Sequence, residues 1–332
     1  MHDDEVGTDA ELVRRLVAAQ FPQWADLPVE RFPSPGTVNA VYRLGDELSV
    51  RLPLVERSVG DVRKEQEWLP RLAPLLPVPI PVVVGAGVPG EGFPFPWSVC
   101  RWLPGDNPEA GRGAAPLVAG LAAFVTAMRR AGLPGGPRAY RGVPLSEKDA
   151  AARRAIADLE ALNAEPGPVD PAAAHGGPAA DHGDPSDPAA AHGGPVDTID
   201  TAALTAAWDL SVKTPAWAGP PVWVHSDLMP GNLLVSGDGR LTGVIDFATA
   251  GVGDPACDLM PAWNLLPASA RPAFREALGT DDDTWARGRG WALVQALVAL
   301  PYYLHTNPAM AANARYVLRE VLADMIADGS LG

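Results

Sequence analysis

The chain of 332 residues has only two cysteines, Cys100 and Cys257. Two thiols cannot build a disulfide framework, and their sequence neighbours do not offer the spacing of zinc ligands. Nor is there any run approaching ~20 uninterrupted apolar residues, so no membrane span is expected. The first residues, MHDDEVGTDAELVRR, are acidic and carry no apolar stretch, unlike a secretory signal. A reducing cytoplasm is the compartment these features lead one to expect. Basic residues are in the minority, with 26 Lys and Arg against 40 Asp and Glu and a formal net charge of −14. A nucleic-acid binder normally presents a basic face, so this charge argues against that class. What the chain does have is apolar material, 47% of its residues, and a length that suggests two lobes.

The shortage of cations is sharpest between Asn163 and Asp200. Seven acids fall there (Glu165, Asp170, Asp181, Asp184, Asp187, Asp197 and Asp200) and no Lys or Arg, so half of the imbalance sits in one segment. This weakens any inference from net charge to a cationic substrate. The string DPAAAHGGP occurs twice, from Asp170 and from Asp187. Pro and Gly recur too often for helix or strand, and no large apolar side chain anchors the segment. Residues 163–198 therefore read as a disordered insertion. Its His175, His182 and His192 read as part of this low-complexity segment rather than as a metal site, because no rigid frame holds them and ordering the backbone costs ~1–2 kcal/mol per residue.

Elsewhere the elements follow a readable order. Thr8 and Asp9 can cap a helix over 11–21. Strand-like runs follow at 38–44 and 48–52, joined by the turn Gly45-Asp46. A helix spans about 59–75, and further strands are expected at 80–84 and 97–102. Beyond Arg101 the pattern is helical, at 117–132, 145–162 and 201–210. A buried strand PVWV and the short strands NLLV and LTGVI around Gly237-Asp238-Gly239 then precede three helices, at 272–279, 284–304 and 310–327. This is an α+β arrangement with a small β-rich N-terminal lobe and a larger helical C-terminal lobe. The expected boundaries are residues 1–102 and 103–332.

The informative stretch is HSDLMPGNLLVSGDGRLTGVIDFATAGVGDPACDL, from His225 to Leu259. The apolar PVWV delivers His225-Ser226-Asp227 at a strand end. Met229-Pro230-Gly231 forces a tight turn, Asn232 opens the next strand, and a hairpin returns the chain to Ile245-Asp246-Phe247. Two carboxylates and one carboxamide thus arrive at adjacent strand ends. Phosphoryl transfer needs such a set. Mg²⁺ is a hard ion that takes oxygen ligands and keeps waters, which Asn232 and Asp246 suit. Asp227 is then free to orient an acceptor hydroxyl and take its proton.

These residues, with Gly253-Asp254-Pro255 and Asp258-Leu259 behind them, resemble the aminoglycoside phosphotransferase family, whose members share the protein-kinase-like bilobal fold with choline, homoserine and related small-molecule kinases. The resemblance spans nearly the whole chain and is most specific in its C-terminal motifs. It implies that Asp227 is the catalytic base, that Asn232 and Asp246 bind Mg²⁺, and that ATP or GTP is the co-substrate. It implies that His225 braces the catalytic loop, that Asp254 caps the helix starting near Pro255, and that Asp258 pins the loop to the core. SPGTVNAVYRL matches the loop over the phosphates, with Ser34, Gly36 and Thr37 as donors. The family's usual strand lysine is replaced by Arg51, a planar fork in place of a point charge, with Glu65 on the next helix as its partner. The hinge, Arg101-Trp102-Leu103, is where a purine would bond to the backbone. Ser226 departs from the family pattern, where many members have glycine.

The acceptor is a small-molecule hydroxyl compound. Asp281, Asp282, Asp283 and Glu320 are candidates to meet a polycation, and Trp263, Trp285, Trp291, Tyr302 and Tyr303 to line a sugar or macrolide pocket, although such aromatics commonly belong to the core. The family hosts several acceptors. An antibiotic kinase for an aminoglycoside or macrolide therefore stands beside a metabolic kinase for a sugar, choline-like compound or amino alcohol, and beside a kinase-fold nucleotide-binding protein without turnover. A metal hydrolase built on His225, Asp227 and Asp246 ranks last, since such sites use more histidines.

Overall fold

The computed structural model describes residues 5–33, 39–112, 115–164 and 199–331. The insertion with its three histidines therefore lies almost wholly outside the described residues, as do Ser34, Gly36 and Thr37.

The N-terminal lobe begins with α1 (Ala10–Gln20), which Asp9 caps by accepting a hydrogen bond from the Leu12 N–H at 2.7 Å. Five strands follow: β1 (Val29–Phe32), β2 (Asn39–Leu44), β3 (Leu48–Pro53), β4 (Val83–Gly87) and β5 (Trp97–Arg101), with α2 (Val59–Leu72) between β3 and β4. They form one antiparallel sheet in the order β1-β2-β3-β5-β4. β2 alternates half-buried and buried residues, the period-two pattern of a strand with one face on a core. β1 was not foreseen, because it is four residues long and exposes three of them. β4 starts three residues later than expected: Pro79 and Pro81 supply no N–H for the ladder.

The C-terminal lobe holds α3 (Ala115–Arg130), α4 (Asp149–Ala164), α5 (Thr201–Ser211), β6 (Val222–Val224), β7 (Leu233–Val235), β8 (Leu241–Val244), β9 (Gly251–Gly253), α6 (Pro261–Asn264), α7 (Arg271–Leu278), α8 (Asp282–Tyr303) and α9 (Pro308–Ala327). β7 and β8 form the hairpin, and β6 pairs with β9, a three-residue strand that carries no readable pattern. Helix α8 is buried nearly all round over its first four turns. Gly288 and Gly290 make this possible: a Cβ there would fall 2.6 Å from Leu259 and 2.5 Å from Leu145. Among the described residues, no helix is long and apolar enough to cross a membrane.

Two apolar clusters fill the molecule. One lies between α1 and the sheet, around Leu16, Tyr42, Val50 and Trp97. The larger one fills the helical lobe and also takes in Trp68, Leu69 and Leu72 from α2. Helix α2 is thus packed on the large lobe while its Glu65 faces the small one, and this fixes the two lobes around the cleft where the charged side chains collect.

Candidate active site

The loop after β6 is held from below. Asp258 is fully buried and accepts the backbone N–H of His225 at 2.9 Å and of Ser226 at 2.7 Å. Burial raises the Asp258 carboxyl, and the neighbouring His225 opposes the rise. The His225 ring is fully buried against Phe247, accepts the Asp227 N–H on Nδ1 at 3.3 Å and meets the Ile245 carbonyl through Nε2 at 3.1 Å. This assigns the proton to Nε2. Burial lowers the pKa of this ring, which is therefore neutral at neutral pH and serves as a spacer between the two loops. Ser226 adopts a left-handed φ of 63°, a conformation that costs a non-glycine residue ~1–2 kcal/mol. Its hydroxyl donates to the Thr249 carbonyl at 2.9 Å. The turn that follows is gathered by Asn107, whose amide reaches the carbonyls of Gly231 and Leu233 at 3.1 and 2.8 Å.

Asp227 is thereby presented at the edge of the cleft with its side chain 20% exposed. Asn232 turns its amide nitrogen toward Asp227, donating to its carbonyl at 2.9 Å and to Oδ2 at 3.3 Å. That orientation leaves the Asn232 carbonyl oxygen for another partner. The backbone bond from Ile245 N–H to Asn232 O, 2.9 Å, sets the next residue, Asp246, beside the pair. Asp246 also has a left-handed φ of 63°, and its side chain is 41% exposed. Burial pushes the Asp227 carboxyl above the ordinary carboxylate range; Arg141 opposes the rise and Asp246 adds to it.

The opposite wall comes from the small lobe. Arg51 on β3 bonds Glu65 on α2 at 3.1 Å and approaches Asp246 at 4.0 Å. Burial works against its charge, but Glu65 and Asp246 outweigh burial and hold the guanidinium above its ordinary range. Glu65 also accepts the Phe247 N–H at 3.2 Å, and Lys64 donates to the Ala248 carbonyl. Helix α2 is therefore tied directly to the segment that carries Asp246. At the hinge, Arg101 and Trp102 give their backbone N–H groups to Val82 and Glu47. Of the three hinge residues, Leu103 has the amide with no partner among the described residues.

Asp254 accepts the Ala256 N–H at 2.9 Å and is bound by Arg287 at 2.8 Å, at the start of the 3₁₀ turn Pro255–Leu259. Several side chains considered for the acceptor have partners within the fold. Glu320 is paired with Arg271 and Asp282 with Arg275, while Asp281 caps α8. Trp263, Trp285 and Trp291 are core residues, whereas Tyr302 is 56% exposed. Among the described residues, no group of three or more His, Cys, Asp or Glu side chains is arranged to hold a metal ion. Mg²⁺ needs no such cage: a carboxamide oxygen and one half-exposed carboxylate fit its habit of keeping waters. Burial pushes the Cys100 thiol up to about 12 and the Cys257 thiol well above its ordinary value, so neither offers a thiolate nucleophile at neutral pH.

Sequence reasoning missed three residues at this site. Arg141 bonds Asp227, Asn107 gathers the turn, and Asn264 donates to the Leu228 carbonyl at 2.9 Å. All three act across more than thirty residues of chain, and no local pattern marks them.

A family model described as "Phosphotransferase enzyme family" matches residues 29–291. No curated protein matches by sequence. Several solved structures share the fold. The GDP and kanamycin complex of an APH(2'') enzyme superposes with a TM-score of 0.64 at 19% identity, covering 94% of this chain and 98% of that one. Macrolide 2'-phosphotransferase MphH from Brachybacterium faecium, as apoenzyme, gives 0.54 at 20% identity over 94% and 97%. The ADP-bound aminoglycoside phosphotransferase APH(2'')-Ib gives 0.54 at 14% identity over 94% and 98%. The protein-kinase-like bilobal fold is common to all of them.

Proposed function

Because the chain belongs to the phosphotransferase enzyme family, we propose that it moves the γ-phosphate of ATP or GTP to a hydroxyl of a small molecule, with Asp227 as the base. One observation supports this reading above the others: Asp227, Asn232 and Asp246 are drawn together by the Asn232 amide and the Ile245–Asn232 backbone bond, facing Arg51 across the cleft. In the reaction the acceptor O–H gives its proton to the Asp227 carboxylate as the oxygen bonds to the γ-phosphorus. The bond from that phosphorus to the bridging oxygen breaks, and the nucleoside diphosphate leaves with the electron pair. The protein forms no covalent bond; it aligns the groups and neutralises charge. Asn232 and Asp246 are the residues that would hold Mg²⁺, which when bound offsets the charge of the phosphates. Arg51 is the cation for the nucleotide phosphates, kept in place by Glu65. The Leu103 amide is the donor available to a purine.

For the acceptor, relatives of this fold include a kanamycin complex and a macrolide 2'-phosphotransferase, and an aminoglycoside or macrolide is the class we propose. The test is transfer of ³²P from γ-labelled ATP and GTP to kanamycin, erythromycin, choline and glucose, with Asp227→Asn alongside. Labelled kanamycin or erythromycin, lost in the variant, supports the proposal. Labelled choline or glucose alone would instead indicate a metabolic kinase. Tight nucleotide binding without any labelled product would indicate a kinase-fold binding protein.

A further inference from the structure

The catalytic loop itself, His225 to Leu233, contains no lysine or arginine. A cation nevertheless reaches its aspartate from another part of the chain. Residues 137–142 run beside the segment that follows Asp246, fixed by four backbone bonds: Val252 N–H to Pro137 O at 2.8 Å, Ala139 N–H to Val252 O at 3.1 Å, Tyr140 N–H to Thr249 O at 3.1 Å, and Asp254 N–H to Gly142 O at 3.0 Å. Gly142 permits this approach, with a φ of 97° and a Cβ position only 3.1 Å from the Asp254 nitrogen. Arg141 projects from this strap. Its Nη1 donates to the Ser226 carbonyl at 2.9 Å and lies 3.0 Å from Asp227 Oδ1.

Arg141 spends its donors differently from Arg287. Arg287 spends Nε, Nη1 and Nη2 on Asp254, Pro215 and Thr284. Arg141 uses Nη1 for both of its bonds and leaves Nε buried without a hydrogen-bond partner among the described residues. Its bonds also divide Asp227 in a useful way. Arg141 takes Oδ1 and Asn232 takes Oδ2, so the carboxylate is gripped from both sides and cannot rotate about its χ angles.

We propose that Arg141 is a positioning residue for phosphoryl transfer, clamping Asp227 and the carbonyl before it so that the carboxylate meets the acceptor hydroxyl in one orientation. The inference rests on the functional reading above. A misplacement of about 1 Å in such a group costs about 10²-fold in rate, and lysine reproduces the charge but not the rigid planar guanidinium that holds Nη1 between the Ser226 carbonyl and Asp227 Oδ1.

The experiment measures kcat and nucleotide KM for wild type, Arg141→Lys, Arg141→Gln and Arg141→Ala. The substrates are γ-³²P-labelled ATP or GTP and whichever of kanamycin, erythromycin, choline or glucose the wild type phosphorylates fastest. Melting temperatures are recorded for each protein, and Asp227→Asn is run in parallel. The expected result is a kcat about 10²-fold lower in Arg141→Gln at unchanged nucleotide KM, a smaller loss in Arg141→Lys, and partial recovery of Arg141→Ala in added guanidinium chloride at concentrations that leave it folded. Wild-type kcat in a folded Arg141→Gln, with Asp227→Asn inactive, overturns the role of Arg141 and leaves the functional reading standing. A loss that follows melting temperature through all three variants and is not recovered by guanidinium overturns it as well. Undiminished transfer by Asp227→Asn overturns the functional reading, and this inference falls with it.

Discussion

At the scale of single residues, the site is built from groups whose environment sets their chemistry. Burial is the largest influence on Asp227 and raises its carboxyl above the ordinary range, with Arg141 pulling it back. In its proposed role as general base, Asp227 must be ionised to work. Activity is therefore present above the raised value and is lost as pH falls through it, so the acid limb of kcat/KM lies above the ordinary carboxylate range. A pH–rate profile measures this, and a limb at or below pH ~4 contradicts it. Asp227→Asn removes the base and lowers kcat by about 10²–10⁴-fold while nucleotide affinity is retained. At Arg51 the effect is on binding instead. Arg51→Ala raises the nucleotide KM and leaves Glu65 buried without its cation, so the melting temperature falls too; Arg51→Lys keeps the charge and recovers part of both.

Elements decide which of these residues meet. Asp258, in the 3₁₀ turn after β9, caps two consecutive amides of the loop that carries Asp227. Asp258→Ala leaves two buried N–H groups unpaired, at about 1–3 kcal/mol each. Thermal melts should show a large loss of stability, accompanied by a fall in kcat that is greater than the fraction unfolded explains; a melting temperature within a degree or two of wild type contradicts the account. This scale also explains what could be read in the sequence. The Asp227–Asn232–Asp246 unit is legible because it is local: a strand end, a Pro-Gly turn and a short hairpin bring its parts together within about twenty residues of chain. The long helices are legible from their apolar spacing. β1 and β9 are not, since three or four residues carry no period. β4 begins late because prolines delay it. Arg141, Asn107 and Asn264 could not be read at all, because each reaches the loop from a distant element, and long-range contacts leave no periodic trace in the chain.

For the whole molecule, the sheet and the helical part each pack on an apolar cluster of their own, and α2 contributes Trp68, Leu69 and Leu72 to the larger one. The acidic, Pro- and Gly-rich stretch that dominates the charge of the chain is bracketed by a close contact. The Asn163 side chain donates to the Ile199 carbonyl at 2.7 Å and accepts the Ile199 N–H at 3.3 Å. With its ends already together, residues 165–198 should be replaceable by a short Gly-Ser linker with little change in melting temperature. A large loss of stability would show that the segment contributes to the fold. If transfer alone is lost, the segment serves the acceptor.

The account stands on the convergence of Asp227, Asn232 and Asp246 upon one metal–nucleotide site between the lobes. A crystal structure with Mg²⁺ and a non-hydrolysable analogue of ATP or GTP tests that most directly. The expected result is a magnesium ion bound by the side-chain oxygens of Asn232 and Asp246, phosphates against Arg51, and the Asp227 carboxylate facing the terminal phosphate. Nucleotide bound elsewhere, or a metal that touches neither Asn232 nor Asp246, would contradict it.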